Sequence, residues 1–229
     1  MYDLAGFPKD TIGAYLAWWA DPAAGCAAIH LTPTDWTAPV APGDTLTVYA
    51  FTCAPSAELF VNGVSQGVQA VPPQGAAAWP RTVFAPGNLT AVAYDASGRA
   101  LAVATALTAG PPAALRLWVE GGYLPPRNAS VIAADGADVA LLGLQVLDAA
   151  GLPVPAGSVN VTFAVQGPGA VAGVHNGNPA DHSPAKAAWR LTFHGKARAI
   201  IASTGAQGTL TVTASAPGLA PATVHLEAQ

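Results

Sequence analysis

The stretch 209–214 (TLTVTA) alternates without exception, Leu210, Val212 and Ala214 against Thr209, Thr211 and Thr213. A period of two places each set on one face of a pleated strand, so this segment reads as a half-buried antiparallel strand. Short strand-like runs recur along most of the chain, and each is broken after roughly ten residues by Gly, Pro or an Asn-Gly pair. With 24 Gly and 21 Pro in 229 residues, this punctuation does not suit a helical bundle. The length accommodates two sandwiches of roughly 100 residues each. Over half of the residues are apolar, which is enough for each to bury a core.

The exception lies at the beginning. In 9–20 (KDTIGAYLAWWA), Ile12, Tyr15, Leu16 and Trp19 fall at helical spacing, and Asp21-Pro22 stops the pattern. A lone amphipathic helix ahead of strands has no evident partner of its own. Strands are then expected at 27–31, 44–52 and 58–62, with Asn62-Gly63 turning into the next strand. A hairpin follows at 89–94 and 100–105. Gly110-Pro111-Pro112 breaks the pattern, which sets units at 1–24, 25–110 and 111–229. The last unit is expected to carry strands at 115–119, 139–147, 159–165, 189–193, 197–203, 209–214 and 223–226. The fold class is therefore all-β, two tandem immunoglobulin-like sandwiches after a short helix.

Chemistry is sparse. Sugar hydrolysis needs a pair of carboxylates, and the chain has only three Glu, at 58, 120 and 227. Glu58 begins a strand, Glu120 adjoins a Gly-Gly turn and Glu227 lies near the C-terminus. Most Asp residues sit in turn settings such as Asp44, Asp95 and Asp148, where Asp bonds its own backbone. No catalytic residue is assigned. None of the five His has a second His or Cys at metal-ligand spacing, so no metal and no cofactor is expected. The polar loop with His175, Asn176, Asn178, Asp181 and His182 could hold a hard cation through oxygen atoms, or could be a hydrogen-bonded sandwich loop.

Among the six Trp, Trp118 and Trp189 fall in strand patterns and are expected in the core. Trp18 and Trp19 are expected to face a partner of the helix that is missing from this chain. Trp36 and Trp79, near Pro-rich loops, are candidates for stacking on sugar rings, with packing against the adjoining loop as the alternative. Cys26 and Cys53 are open to two readings, a disulfide or two buried thiols. The net charge of −4 and the absence of basic clusters argue against nucleic acid or an anionic membrane. No apolar run approaches a membrane span, and Asp3, Lys9 and Asp10 do not suit a signal peptide. Three sequons (Asn88, Asn128, Asn160) matter only in a secreted protein.

Specific residues add a resemblance. Asp3-Leu-Ala-Gly-Phe-Pro-Lys-Asp10, followed by a helix ending Trp18-Trp19, resembles the end of the catalytic barrel in the β-galactosidase-like branch of glycoside hydrolase family 2. The stretch from His30 to Trp36 (HLTPTDW) and the run from Glu58 to Gly63 (ELFVNG) with Gly67 resemble that family's following connection and hairpin. Asp138-Val-Ala-Leu, Val146 to Pro155, Gly173 to Pro179 and Arg190 to Gly195 are similar to its second C-terminal sandwich. Asn178 departs from the Asp more usual there.

The resemblance implies that residues 1–24 are the last strand–helix unit of a barrel. It also implies that the barrel strands bearing both catalytic Glu lie outside this chain. Lys9 and Asp10 become barrel-rim candidates, and the barrel itself becomes the partner in cis, with carbohydrate a further candidate ligand. The chain would be the non-catalytic C-terminal portion of an enzyme that hydrolyses terminal β-linked sugars. A secreted parent is compatible with this. The alternative is a stand-alone carbohydrate-binding or adhesive module.

Overall fold

The structure, a computed structural model, describes residues 1–20, 26, 28–37, 41–121 and 129–229. The expected helix stop at Asp21-Pro22, Ala27 at the start of the first expected strand, and the sequon at Asn128 lie outside them.

The chain forms one helix, α1 (Asp10–Trp19), and sixteen strands among the described residues. In order these are β1 (Ile29–Thr32), β2 (Thr45–Thr52), β3 (Ser56–Val61), β4 (Val64–Ala70), β5 (Ala77–Val83), β6 (Asn88–Tyr94) and β7 (Ala100–Leu107). They continue with β8 (Pro112–Val119), β9 (Val131–Ile132), β10 (Val139–Asp148), β11 (Asn160–Gln166), β12 (Gly169–His175) and β13 (Trp189–Leu191). The last are β14 (Lys196–Ser203), β15 (Gly208–Ser215) and β16 (Ala222–Ala228).

The strands divide between two compact units. The first comprises Met1–Tyr2 and Pro8–Ala109, the second Asp3–Phe7 and Gly110–Gln229. In the first, the sheets β1-β2-β5 and β4-β3-β6-β7 pack face to face. Leu31, Val48, Ala50 and Trp79 from one meet Leu59, Val61, Leu89 and Ala91 from the other in a single core. The alternation in β3 is complete, with Ala57, Leu59 and Val61 inward and Ser56, Glu58 and Phe60 outward. Asn62 and Gly63, both at positive φ (50° and 80°), make the tight turn between β3 and β4.

Helix α1 has a partner after all. Ala14 and Ala17 are buried, and the Trp18 ring packs edge-on against Phe51 of β2 while its Nε1 donates to the Gly75 carbonyl at 2.9 Å. The expectation that Trp18 faces a missing partner is corrected on this point: its ring is used within the first unit. Gly13 makes the approach possible, because a Cβ there would strike the His30 ring of β1. A disulfide joins Cys26 and Cys53, with Cα atoms 5.7 Å apart, so of the two readings the bonded one holds.

In the second unit the sheet β12-β14-β10-β8 packs on β13-β11-β15-β16-β9. The 209–214 alternation appears within β15 as expected, with Leu210, Val212 and Ala214 fully buried. Their threonine neighbours point outward and bond across to β16, Thr213 to Thr223 and Thr211 to His225. Buried residues on the opposing sheet are Leu142, Leu144, Val146, Ala199 and Ile201.

Candidate functional site

Trp36 and Trp79 belong to the first core. Trp36 is 0% exposed, its ring lies edge-on to Phe84, and its Nε1 donates to the Ala85 carbonyl at 2.7 Å. Trp79 is 4% exposed and its Nε1 donates to the Gly67 carbonyl at 3.0 Å. A ring without an open face cannot stack on a sugar, so the packing alternative holds and the stacking role is withdrawn. Trp189 is the reverse case, since it was expected in the core and is 40% exposed. It occupies β13, an edge strand of three residues, where alternation turns it outward and Arg190 inward.

That Arg190 organises the polar loop. It is fully buried, and its Nη2 donates to the carbonyls of Val174 and Pro184 at 2.9 and 3.1 Å. Its Nη1 donates to Asp181 Oδ2 at 3.1 Å and to the Ser183 carbonyl at 3.3 Å. The same Asp181 oxygen receives Asn176 Nδ2 at 2.6 Å, while the other receives the Ser183 N–H at 2.8 Å. The hydroxyl and N–H of Ser183, then Arg190 and Asn176, hold the Asp181 carboxyl well below the usual carboxylate range.

Asn176 Oδ1 receives the Asn178 N–H, Asn178 Oδ1 receives the Ala180 N–H, and His175 Nδ1 receives the Gly177 N–H. His182 is exposed. The loop residues thus spend their polar atoms on one another and on the backbone. No group of three or more His, Cys, Asp or Glu suited to a metal occurs among the described residues.

The second polar assembly lies on the outward face of β8-β10-β14. Arg198 and Lys196 of β14 point outward beside Gly143 and Gln145 of β10. Arg198 Nη2 donates to Glu120 Oε1 at 3.0 Å, and both side chains are largely buried. The Phe7 ring lies beneath both cations, 4.5 Å from the Arg198 guanidinium and 5.6 Å from the Lys196 ammonium. The signal was present in KARAII: a cation within an apolar run needs a specific partner.

The other acids have structural partners. Glu58 receives hydrogen bonds from the Ser65 and Tyr94 hydroxyls, and Glu227 from the Thr209 hydroxyl. Asp148 is held ionised by the N–H groups of Gly110 and Leu152, then of Ala150. Lys9 and Asp10 are exposed at the start of α1, with Asp10 Oδ1 receiving the Thr34 hydroxyl at 3.3 Å and lying 3.7 Å from His30 Nε2. An open crevice of about 300 Å³ between α1, β1 and β7 is lined mainly by Gly13, Leu16, Ala17 and Ile29, with His30 its one titratable group. Among the described residues none of these arrangements supplies a hydrolytic carboxyl pair.

The fold and these interactions define a tandem β-sandwich region whose polar groups are used structurally. Residues 127–225 match the glycoside hydrolase family 2 C-terminal domain 5, and residues 43–102 match a domain of unknown function (DUF4982). The chain is 37% identical over 230 residues to β-galactosidase BoGH2A of Bacteroides ovatus, covering 99% of this chain and 25% of that protein.

Among solved structures it resembles a β-glycosidase from Bacteroides vulgatus, with a TM-score of 0.84, 27% identity, and coverage of 99% of this chain and 27% of that one. It also resembles a β-glucuronidase of glycoside hydrolase family 2, with a TM-score of 0.83, 25% identity, and coverage of 98% and 22%. The chain therefore corresponds to the C-terminal region of glycoside hydrolase family 2 enzymes. It spans about a quarter of the length of these relatives.

Proposed function

We propose that this chain buttresses the catalytic barrel of a family 2 β-glycosidase, and that the parent enzyme hydrolyses terminal β-linked sugars. The observation that carries the reading is the match of 99% of the chain to one quarter of a β-galactosidase. The outer side of α1 supports it physically. Leu16 is 63% and Trp19 72% exposed, and the Tyr15 ring lies tilted against Trp19 with ring centres 4.9 Å apart. Apolar exposure of this kind on a helix marks a surface that another element covers. Under this reading Lys9 and Asp10, at the start of that helix, are candidates for the barrel rim.

The Cys26–Cys53 disulfide supports export of the parent, because such bonds persist in oxidising compartments and are rare where thiols are kept reduced. Protein recovered without reductant should then resist alkylation at both cysteines.

The test is to read the frame upstream of Met1, express the extended and the present forms, and assay both on aryl β-galactosides and β-glucuronides. Turnover by the extended form alone is expected. Turnover by the present chain, or saturable glycan binding by it, would overturn the reading in favour of an autonomous module.

A further inference from the structure

The segment Asp3–Phe7 belongs to the second unit, although the residues on either side of it belong to the first. It is closed on itself. Asp3 Oδ1 receives the N–H groups of Ala5 and Phe7, both at 2.9 Å, and the Asp3 N–H donates to the Phe7 carbonyl at 2.9 Å. That ring of bonds turns Leu4 outward, 71% exposed, and buries Phe7 to 4%.

Two features of the second sandwich receive it. Phe7 lies under the Arg198 guanidinium and the Lys196 ammonium. The Asp3 carboxylate lies against Gly177, where a Cβ would collide with it. Gly177 is at φ +79°, so the loop after β12 is shaped there as only glycine readily allows. Arg198 is in turn fixed by Glu120.

From this geometry we infer that the outward face of β14, together with Gly177, is the docking surface by which the second sandwich grips a catalytic barrel, and that the aromatic turn Asp3–Phe7 is the epitope it grips. This rests on the reading of the chain as a barrel-bearing enzyme's tail, and it names the contact that the reading requires. The recognised chemistry is an aspartate-closed turn presenting one aromatic ring to two cations. A ring face attracts a guanidinium or ammonium by its quadrupole, and burial beside Glu120 keeps water from competing. Arg198 and Lys196 alternate along β14 with Ala197, Ala199 and Ile201, which are buried, so loss of the segment should leave the packing of those residues in place.

Hydrogen exchange followed by mass spectrometry on the whole chain tests this, with Phe7→Leu and Asp3→Ala as variants. In the unaltered chain, amides of residues 3–7 should exchange at least tenfold more slowly than in an unstructured peptide. Each variant should remove most of that protection while β10 and β14 keep theirs. Coil-like exchange in the unaltered chain would overturn the proposal. So would protection that survives both variants, or loss that spreads equally into β10 and β14, which would make Phe7 an ordinary core residue. The readout needs no catalytic activity. A frame without a barrel would therefore sink the parent assignment while leaving the grip on residues 3–7 standing.

Discussion

Arg190 shows how much one side chain can decide. Its guanidinium is out of water, and four acceptors, one of them the Asp181 carboxylate, surround it. Removing one partner of a buried ion pair leaves the other uncompensated, at about 3–5 kcal/mol. Arg190→Leu should therefore lower the stability of the second unit by an amount in that range, measured by urea denaturation, and should loosen the loop 175–182.

The pH response follows from the same place. The folded Asp181 carboxyl titrates below its unfolded value, and Asp95 is drawn down to about 2 by the Ser97 hydroxyl and the Arg99 N–H. A depressed carboxyl contributes stability that is complete above the unfolded pKa, about 3.9, and is lost as pH falls toward the folded value. Calorimetry should show a melting midpoint insensitive to these groups from pH 5 to 7 and falling below pH 4. Asp181→Asn should flatten part of that acid slope while lowering the midpoint at pH 7. An unchanged slope would rule Asp181 out as a contributor.

At the scale of elements, edges explain which strands were legible. β5 carries Pro80 and β12 reads GAVAGVH, and neither was foreseen from the sequence. Both are edge strands, β5 beside β2 only and β12 beside β14 only. An edge position tolerates a missing N–H and weak strand propensity, because a neighbour supplies the pairing. The interior strands β3, β6, β10 and β15 carry the alternating or continuously apolar patterns that buried strands require, and these were read directly.

The disulfide acts at this scale too, tying the segment before β1 to the turn after β2 across 27 positions. Cross-linking a loop of that length stabilises by about 3.5 kcal/mol in the chain-entropy account. Reduction, or the double substitution Cys26→Ala with Cys53→Ala, should lower the stability of the first unit by an amount of that order, with the second unit unaffected. Helix α1 gives the complementary test. Its exposed Leu16 and Trp19 should drive self-association of the chain by itself, so Leu16→Ser with Trp19→Ser should weaken that association in sedimentation analysis and barely move the melting temperature.

For the molecule as a whole, local pattern reached the all-β class and its sandwiches, and the resemblance reached the likeness to the C-terminal region of family 2 enzymes. Candidate sites fared differently. Trp36 and Trp79 adjoin Pro-rich stretches that resemble exposed loops, yet both are sealed into the first core. Trp189 sits in a strand pattern yet faces outward. Alternation says that two faces differ without saying which is covered, and a proline nearby says only that the chain turns. Whether a ring is open to a ligand depends on what another strand, distant in sequence, lays across it.

The sequence by itself determined where the interior strands and the tight turns fall, because period-two alternation and the backbone freedom of residues such as Asn62 and Gly63 act within a few positions. Only the tertiary structure decided that Trp18 anchors α1 on the first sandwich, that Cys26 meets Cys53, and that Phe7 sits beneath Arg198, some 190 positions away in the chain. These are pairings between residues whose partners are chosen by packing. A residue's chemistry announces that it needs a partner, but the partner's identity is set by the register and layering of strands far removed from it.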